Sequence, residues 1–168
     1  MELRGELTPQ QREDLKNLLI EFKKVNEGHN HVMKIAEIKL LPSNDNQRLW
    51  NYIEHICRLV AMNTKKGHNR LGTLKKIAKN MQLNLPDLVD EAVQEMVIWV
   101  YRYTWRTYNP NYNGRPEDKV FIDANFGFNN WVHSYINEAN MAVKTGEIIK
   151  ELEDNPNPCG HKVCNINI

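Results

Sequence analysis

Residues 86–103 read PDLVDEAVQEMVIWVYRY, and this stretch decides the fold. Val89, Val93, Met96, Val100 and Tyr103 follow at steps of four, three, four and three, which sets them on one side of an α-helix. A strand would need alternation, and no sustained β-branched alternation occurs anywhere in the chain. Pro86 fits the start of the helix, where the missing N–H is no loss. The turn-rich run Asn109-Pro110-Asn111-Tyr112-Asn113-Gly114-Arg115-Pro116 is a loop that ends it.

Upstream, the pattern continues as helix after helix. Thr8 is an N-cap and Pro9 the first helical residue of a helix over about 9–25. A short helical piece is expected over 31–40, stopped by Pro42. Ser43 is read as the cap of the next helix, where Leu49, Ile53, Ile56 and Val60 recur at helical spacing. Leu74, Ile77, Ala78 and Met81 define a shorter helix over 71–82. Downstream, Pro116 with Glu117 and Asp118 starts a helix with acids in the favoured first turn. It carries Val120, Phe121, Phe128, Trp131, Val132, Tyr135 and Ile136, and Gly127 within it costs about 1 kcal/mol relative to Ala. A separate last helix is expected over about 144–153, followed by Asn155-Pro156-Asn157-Pro158 and a frayed tail. The reading is an all-α, compact multi-helix domain. It divides into a helical segment 1–42, a helical domain 43–154 and a flexible tail 155–168. No repeat and no low-complexity tract is visible.

The 168 residues suffice for one domain with a real core. No apolar run approaches 18 residues, and the amino terminus lacks a signal layout, so neither a membrane span nor secretion is expected. Three cysteines, Cys57, Cys159 and Cys164, are too few and too scattered for a disulfide scaffold. Asparagine occurs 22 times, a bias that an AT-rich genome would produce. Net charge is only +1, unlike an autonomous DNA binder. The charge is unevenly divided, however. Residues 1–80 hold 15 basic and 9 acidic side chains, a balance of +6, and residues 81–168 hold 7 and 12, a balance of −5. A bipolar chain can meet two partners of opposite sign, although an unevenly decorated solvated surface gives the same sums.

Three constellations carry chemistry. Asp87, Asp90, Glu91 and Glu95 cluster along one side of their helix. Such carboxylates form a solvated face, hold Mg²⁺ in phosphate chemistry, or dock a basic partner. No matching second acidic group accompanies them, so no metal is assigned. Cys159, His161 and Cys164 offer three zinc ligands within six residues, but structural zinc needs four. His29 and His31 could complete the set only if the termini met. Cys57 falls on an apolar helix side and reads as a small buried hydrophobe. No phosphate-binding glycine loop, GxSxG, HExxH or CxxC is present, and no enzyme or cofactor is assigned. The third constellation is aromatic. Phe121, Phe126, Phe128, Trp131 and Tyr135 fall within 15 residues, interleaved with Asn125, Asn129, Asn130, His133, Ser134 and Asn137. Phe128, Trp131 and Tyr135 share a face, and Phe126 points away from it. Rings beside amides suit stacking on and hydrogen bonding to unpaired bases, and equally an aromatic core.

In order, an acidic helix followed after a loop by an aromatic helix resembles region 2 of bacterial sigma factors. Asp87-Leu88-Val89-Asp90-Glu91-Ala92, continuing to Val100 and Tyr103, is similar to that family's DLIQEG helix. Phe126-Gly127-Phe128-Asn129-Asn130-Trp131-Val132-His133-Ser134-Tyr135-Ile136 resembles its helix ending in W-W-I-R-Q-A-I. The run Phe128 to Val132 looks closer still to the late-promoter sigma factors of large tailed bacteriophages. The likeness covers about residues 50–142. The tandem tryptophan is Asn130-Trp131 here, the arginine after it is His133, and the 109–116 loop is longer.

The resemblance implies a non-enzymatic initiation factor in the cytoplasm of an infected bacterial host. Asp87, Asp90, Glu91 and Gln94 would bind the clamp helices of the largest subunit of RNA polymerase core. Phe126, Phe128, Asn129, Asn130, Trp131, His133 and Ser134 would bind the melted −10 element of late promoter DNA. A sliding clamp or coactivator belongs to the same picture, although the ending Ile166-Asn167-Ile168 falls short of a clamp epitope. Two rivals are a helical DNA-binding structural or packaging protein of a virion and a Mg²⁺-dependent all-α nucleotide pyrophosphatase.

Overall fold

The computed structural model describes residues 3–28, 33–111 and 114–154, with the backbone alone at 139–146 and 151–154. Among these residues every regular element is helical: α1 (Pro9–Val25), a single 3-10 turn (Ile35–Glu37), α2 (Ser43–Ala61), α3 (Arg70–Met81), α4 (Leu85–Thr107) and α5 (Pro116–Asp154). The chain divides into two units, Met1–Trp131 and Val132–Ile168.

The helix ends follow local chemistry. Thr8 Oγ1 accepts from the Gln11 N–H while Gln11 returns a bond to the Thr8 N–H, a reciprocal capping box worth about 1 kcal/mol. Pro42, not Ser43, is the cap residue of α2, and no side-chain cap bond forms there. Proline fixes the extended entry geometry, which displaces Ser43 into the first turn. α3 begins at Arg70 behind Asn69, whose side chain accepts from Gly72 N–H (2.8 Å), and α4 begins at Leu85 behind the capping Asn84. Pro86 therefore sits one position inside the first turn.

Two expectations are corrected. In place of a helical piece over 31–40, the described part of that segment holds only the 3-10 turn, which an extended Ile38 ends, and 38–41 carries no helix. Asn26, fully buried, pins it: its amide donates to the Phe22 and Lys39 carbonyls and accepts from the Lys39 N–H. Those bonds satisfy backbone groups that a helix would otherwise pair. The second correction is that α5 runs unbroken to Asp154, with no separate helix over 144–153. The stretch 137–143 (NEANMAV) that would have to break it holds neither glycine nor proline, and the next proline is Pro156.

Within Met1–Trp131, α4 is the hub. It buries Leu88, Val89, Ala92, Val93, Met96, Val97, Val100, Tyr101, Thr104 and Trp105, while α1, α2 and α3 each pack on it. From α1 come Leu15, Leu18, Leu19 and Phe22, whose ring meets Tyr101 edge-on at 5.3 Å. From α2 come Leu49, Tyr52, Ile53, Ile56, Cys57 and Val60. Cys57 is fully buried, which pushes its thiol pKa up. Each large residue of this kind costs about 2–5 kcal/mol when cut to Ala.

The first part of α5 closes the core through Val120, Ala124, Phe128 and Trp131, at steps of four, four and three. Its buried polar groups are paired. Glu117 takes both contacts from Arg12 Nε at 3.0 Å, and Asp123 accepts from Thr104 Oγ1 (2.6 Å) and Lys119 Nζ (3.1 Å). At Gly127 the helices touch: an added Cβ would lie 2.8 Å from Trp99 Cβ and 3.4 Å from Met96 Cα. Glycine is required there by close approach.

Beyond Trp131, α5 continues with exposed His133, Ser134, Ile136, Asn137 and Glu138.

Candidate nucleic-acid and docking surfaces

The contact at Gly127 brings Phe126 beside α4. Phe126 is 59% exposed and lines a shallow groove of about 210 Å³ with Trp99, Tyr103, Arg106, Thr107, Lys119 and Asp123. Trp99 and Tyr103, one helical turn apart, stack with centroids 4.3 Å apart and planes 23° from parallel. Arg102 lies 5.5 Å over the Tyr103 ring. The groove thus combines one exposed ring, two half-buried stacked rings and cationic neighbours, a chemistry suited to unpaired bases and their phosphates. Asn129 and Asn130 are exposed on the next turn of α5.

Phe128 and Trp131 do not join that surface. They are 1% and 7% exposed, with ring centroids 6.1 Å apart, and Arg70 lies 5.3 Å over Phe128. The buried stripe of α5 includes both, so in this structure neither offers a face for stacking. His133 and Ser134 are exposed but belong to the later part of α5, in the second unit.

Asp87, Asp90, Glu91 and Gln94 are all exposed on the first half of α4, with Glu95 beside them. Asp90 is held by Arg58 of α2 at 3.0 Å, and Arg58 also reaches Glu54 (3.6 Å). Asp87 and Glu91 carry no ion pair among the described residues. The acidic surface and the aromatic groove occupy opposite halves of one helix, about 24 Å apart from Asp87 to Tyr103 at a rise of roughly 1.5 Å per residue.

Among the described residues no group of three or more His, Cys, Asp or Glu side chains is placed to hold a metal ion. Nor is any helix among them long and apolar enough to cross a membrane. Cys159, His161, Cys164, Ile166 and Ile168, with His29 and His31, lie outside the described residues.

Sequence reasoning missed Trp99, Arg106 and Lys119 and set Tyr103 in the core. The available signal was Trp99 itself, which falls off the 89–93–96–100 stripe and so had to lie at its edge. No known protein family, characterised protein or solved structure is matched by the chain.

Proposed function

We propose that the chain is a sigma-like transcription initiation factor, without catalytic activity of its own, that joins RNA polymerase core and captures unpaired promoter bases. The observation that carries this reading is the exposed Phe126 ring beside the Trp99–Tyr103 stack. An exposed phenylalanine sheds water on contact with a base, and stacking is worth about 1–3 kcal/mol per base while tolerating any sequence. Asn129 and Asn130 follow on the same helix and supply amide donors and acceptors for base edges that only unpairing makes available. His133 and Ser134 come next along it.

The acidic first half of α4 is the docking surface in this reading. Asp87 and Glu91, with no ion pair among the described residues, suit an arginine-rich partner, and Asp90 would exchange its Arg58 contact for one across the interface. The +1 net charge fits a factor that binds promoter DNA after joining polymerase. The late promoters of a tailed phage are the proposed target, in the cytoplasm of the infected host.

The test is reconstitution. RNA polymerase core mixed with the chain should start transcription at discrete sites on phage late-promoter DNA, and core alone should not. Equal, promoter-independent transcription with and without the chain would remove the proposal.

A further inference from the structure

From residue 55 to residue 86 the chain has no acidic residue, while it carries Arg58, Lys65, Lys66, Arg70, Lys75, Lys76 and Lys79. Among the described residues most of that charge has no partner. Arg58 is engaged by Glu54 and Asp90, and Arg70 donates to Asn125 (3.3 Å) while covering Phe128. The five lysines are exposed, and their ammonium groups have neither an ion pair nor a hydrogen bond among the described residues.

Their arrangement is fixed by the fold. Leu71 N–H donates to the Asn63 carbonyl (3.2 Å), which closes the loop carrying Lys65 and Lys66. Leu74, Ile77 and Ala78 turn inward on α3, so Lys75, Lys76 and Lys79 face solvent within one turn of one another. Like charges at that spacing repel by a few tenths of a kcal/mol, and ordinary solvated faces intersperse both signs. A single-sign surface suits a polyanion. Arg70 also ties the first turn of α3 to α5 at Asn125, one residue from Phe126, so this surface flanks the helix that carries the exposed ring.

We propose that the 62–69 loop and the outer side of α3 form a binding track for the DNA phosphate backbone, running alongside the first part of α5. Lysines act as hydrated point charges, so the track positions DNA and reads no sequence. It rests on the nucleic-acid part of the proposed function and supplies a weak, sequence-independent contact to duplex, measurable at low salt in the absence of polymerase, while promoter binding itself follows docking.

The experiment measures binding of the full chain, free of polymerase, to a fluorescent 30-base-pair duplex across a salt series. Four phosphate contacts would give a log–log salt slope of about −3.6, an affinity drop of about 150-fold between 50 and 200 mM. Replacing all five lysines with Gln should flatten the slope by about 0.9 for each phosphate neutralisation removed, with helicity unchanged because glutamine is nearly as good a helix former. Lys75→Gln with Lys76→Gln and Lys79→Gln should account for most of the helix share. The triple Lys16→Gln, Lys34→Gln and Lys39→Gln removes the same charge elsewhere and should leave the slope near native. An unchanged slope in the five-lysine variant overturns the proposal, and so does an equal flattening in the control triple. Loss of polymerase binding with duplex binding intact would likewise overturn it, in favour of an acidic protein partner. Failure of the reconstituted transcription assay would leave the duplex result standing, so the two readings fail separately.

Discussion

Phe126 and Phe128 stand two positions apart on α5, a rotation of about 200° that sends one ring to solvent and the other to the core. Phe126→Ala should leave the unfolding midpoint near native and weaken binding of single-stranded DNA by the polymerase complex about 5- to 150-fold, the range that one stacked base supplies. Phe128→Ala should instead cost about 3–5 kcal/mol in urea unfolding. The reverse pattern would show the groove assigned to the wrong ring. Between them, Gly127→Ala gains about 1 kcal/mol of helix propensity but drives a methyl onto Trp99 Cβ, an atom anchored to the α4 backbone that cannot swing aside. The net effect should be destabilisation by about 1–2 kcal/mol in thermal or urea unfolding, and a stabilised variant would contradict the close approach of α4 and α5. That Phe126 and Phe128 lie on different sides of the helix was legible from spacing, but which side turns inward was not, and the resemblance had put both rings on the DNA-binding surface. The partnership of Phe126 with Trp99 was not, because it depends on how closely α4 and α5 approach, and Gly127 signals that approach only once the neighbouring helix is known.

The helices themselves were legible because their start signals are local: Thr8-Pro9, Pro86 and Pro116 act within a turn of their own positions. The non-helical 38–41 segment and the unbroken α5 were not, since Asn26 reaches 13 residues along the chain and the polar stretch 137–143 interrupts the apolar pattern without carrying any residue that stops a helix. Between elements, one polar link is the clasp of α1 on α2. Arg48 donates to both oxygens of Asp14 at 3.1 Å, and Tyr52 donates to Asp14 Oδ2 at 2.9 Å. The bonds from Arg48 hold the Asp14 carboxyl below its ordinary value of 3.8, against the opposing effect of burial, and desolvation beside that carboxylate pushes the Tyr52 hydroxyl up to about 12. A carboxyl whose pKa is depressed by folding contributes stability above its unfolded value and loses it as pH falls through the folded value. Arg48 and Asp14 are both partly exposed, so solvent screening limits the clasp to about 1 kcal/mol. Asp14→Asn should therefore lower stability by about that amount at pH 6 and converge with the native chain near pH 2, as followed by urea midpoints. A difference that does not depend on pH would show that the charge on Asp14 is not what holds α1 to α2.

At the scale of the molecule, the near-zero net charge hides a division of labour along the chain. The acid-free run 55–86 supplies an exposed cationic side, α4 begins with exposed acids and ends in the aromatic groove, and the first part of α5 packs on that second half of α4 and meets Arg70 of α3. The charge division was visible in the sequence. Which charges remain available was not, because Arg58 and Asp90 neutralise each other only when α2 meets α4. The central claim is that this chain is a polymerase subunit docked by α4, and its association with RNA polymerase core, measured by analytical ultracentrifugation, tests that claim most directly. The native chain should form a one-to-one complex. Asp87→Arg with Glu91→Arg changes two exposed side chains outside the core, so that variant should keep its helical circular dichroism and bind at least about 30-fold more weakly, the lower bound expected when interface charge pairs of about 2 kcal/mol or more are broken. A native chain that does not bind core, or a double variant that binds as tightly as the native one, would contradict that claim.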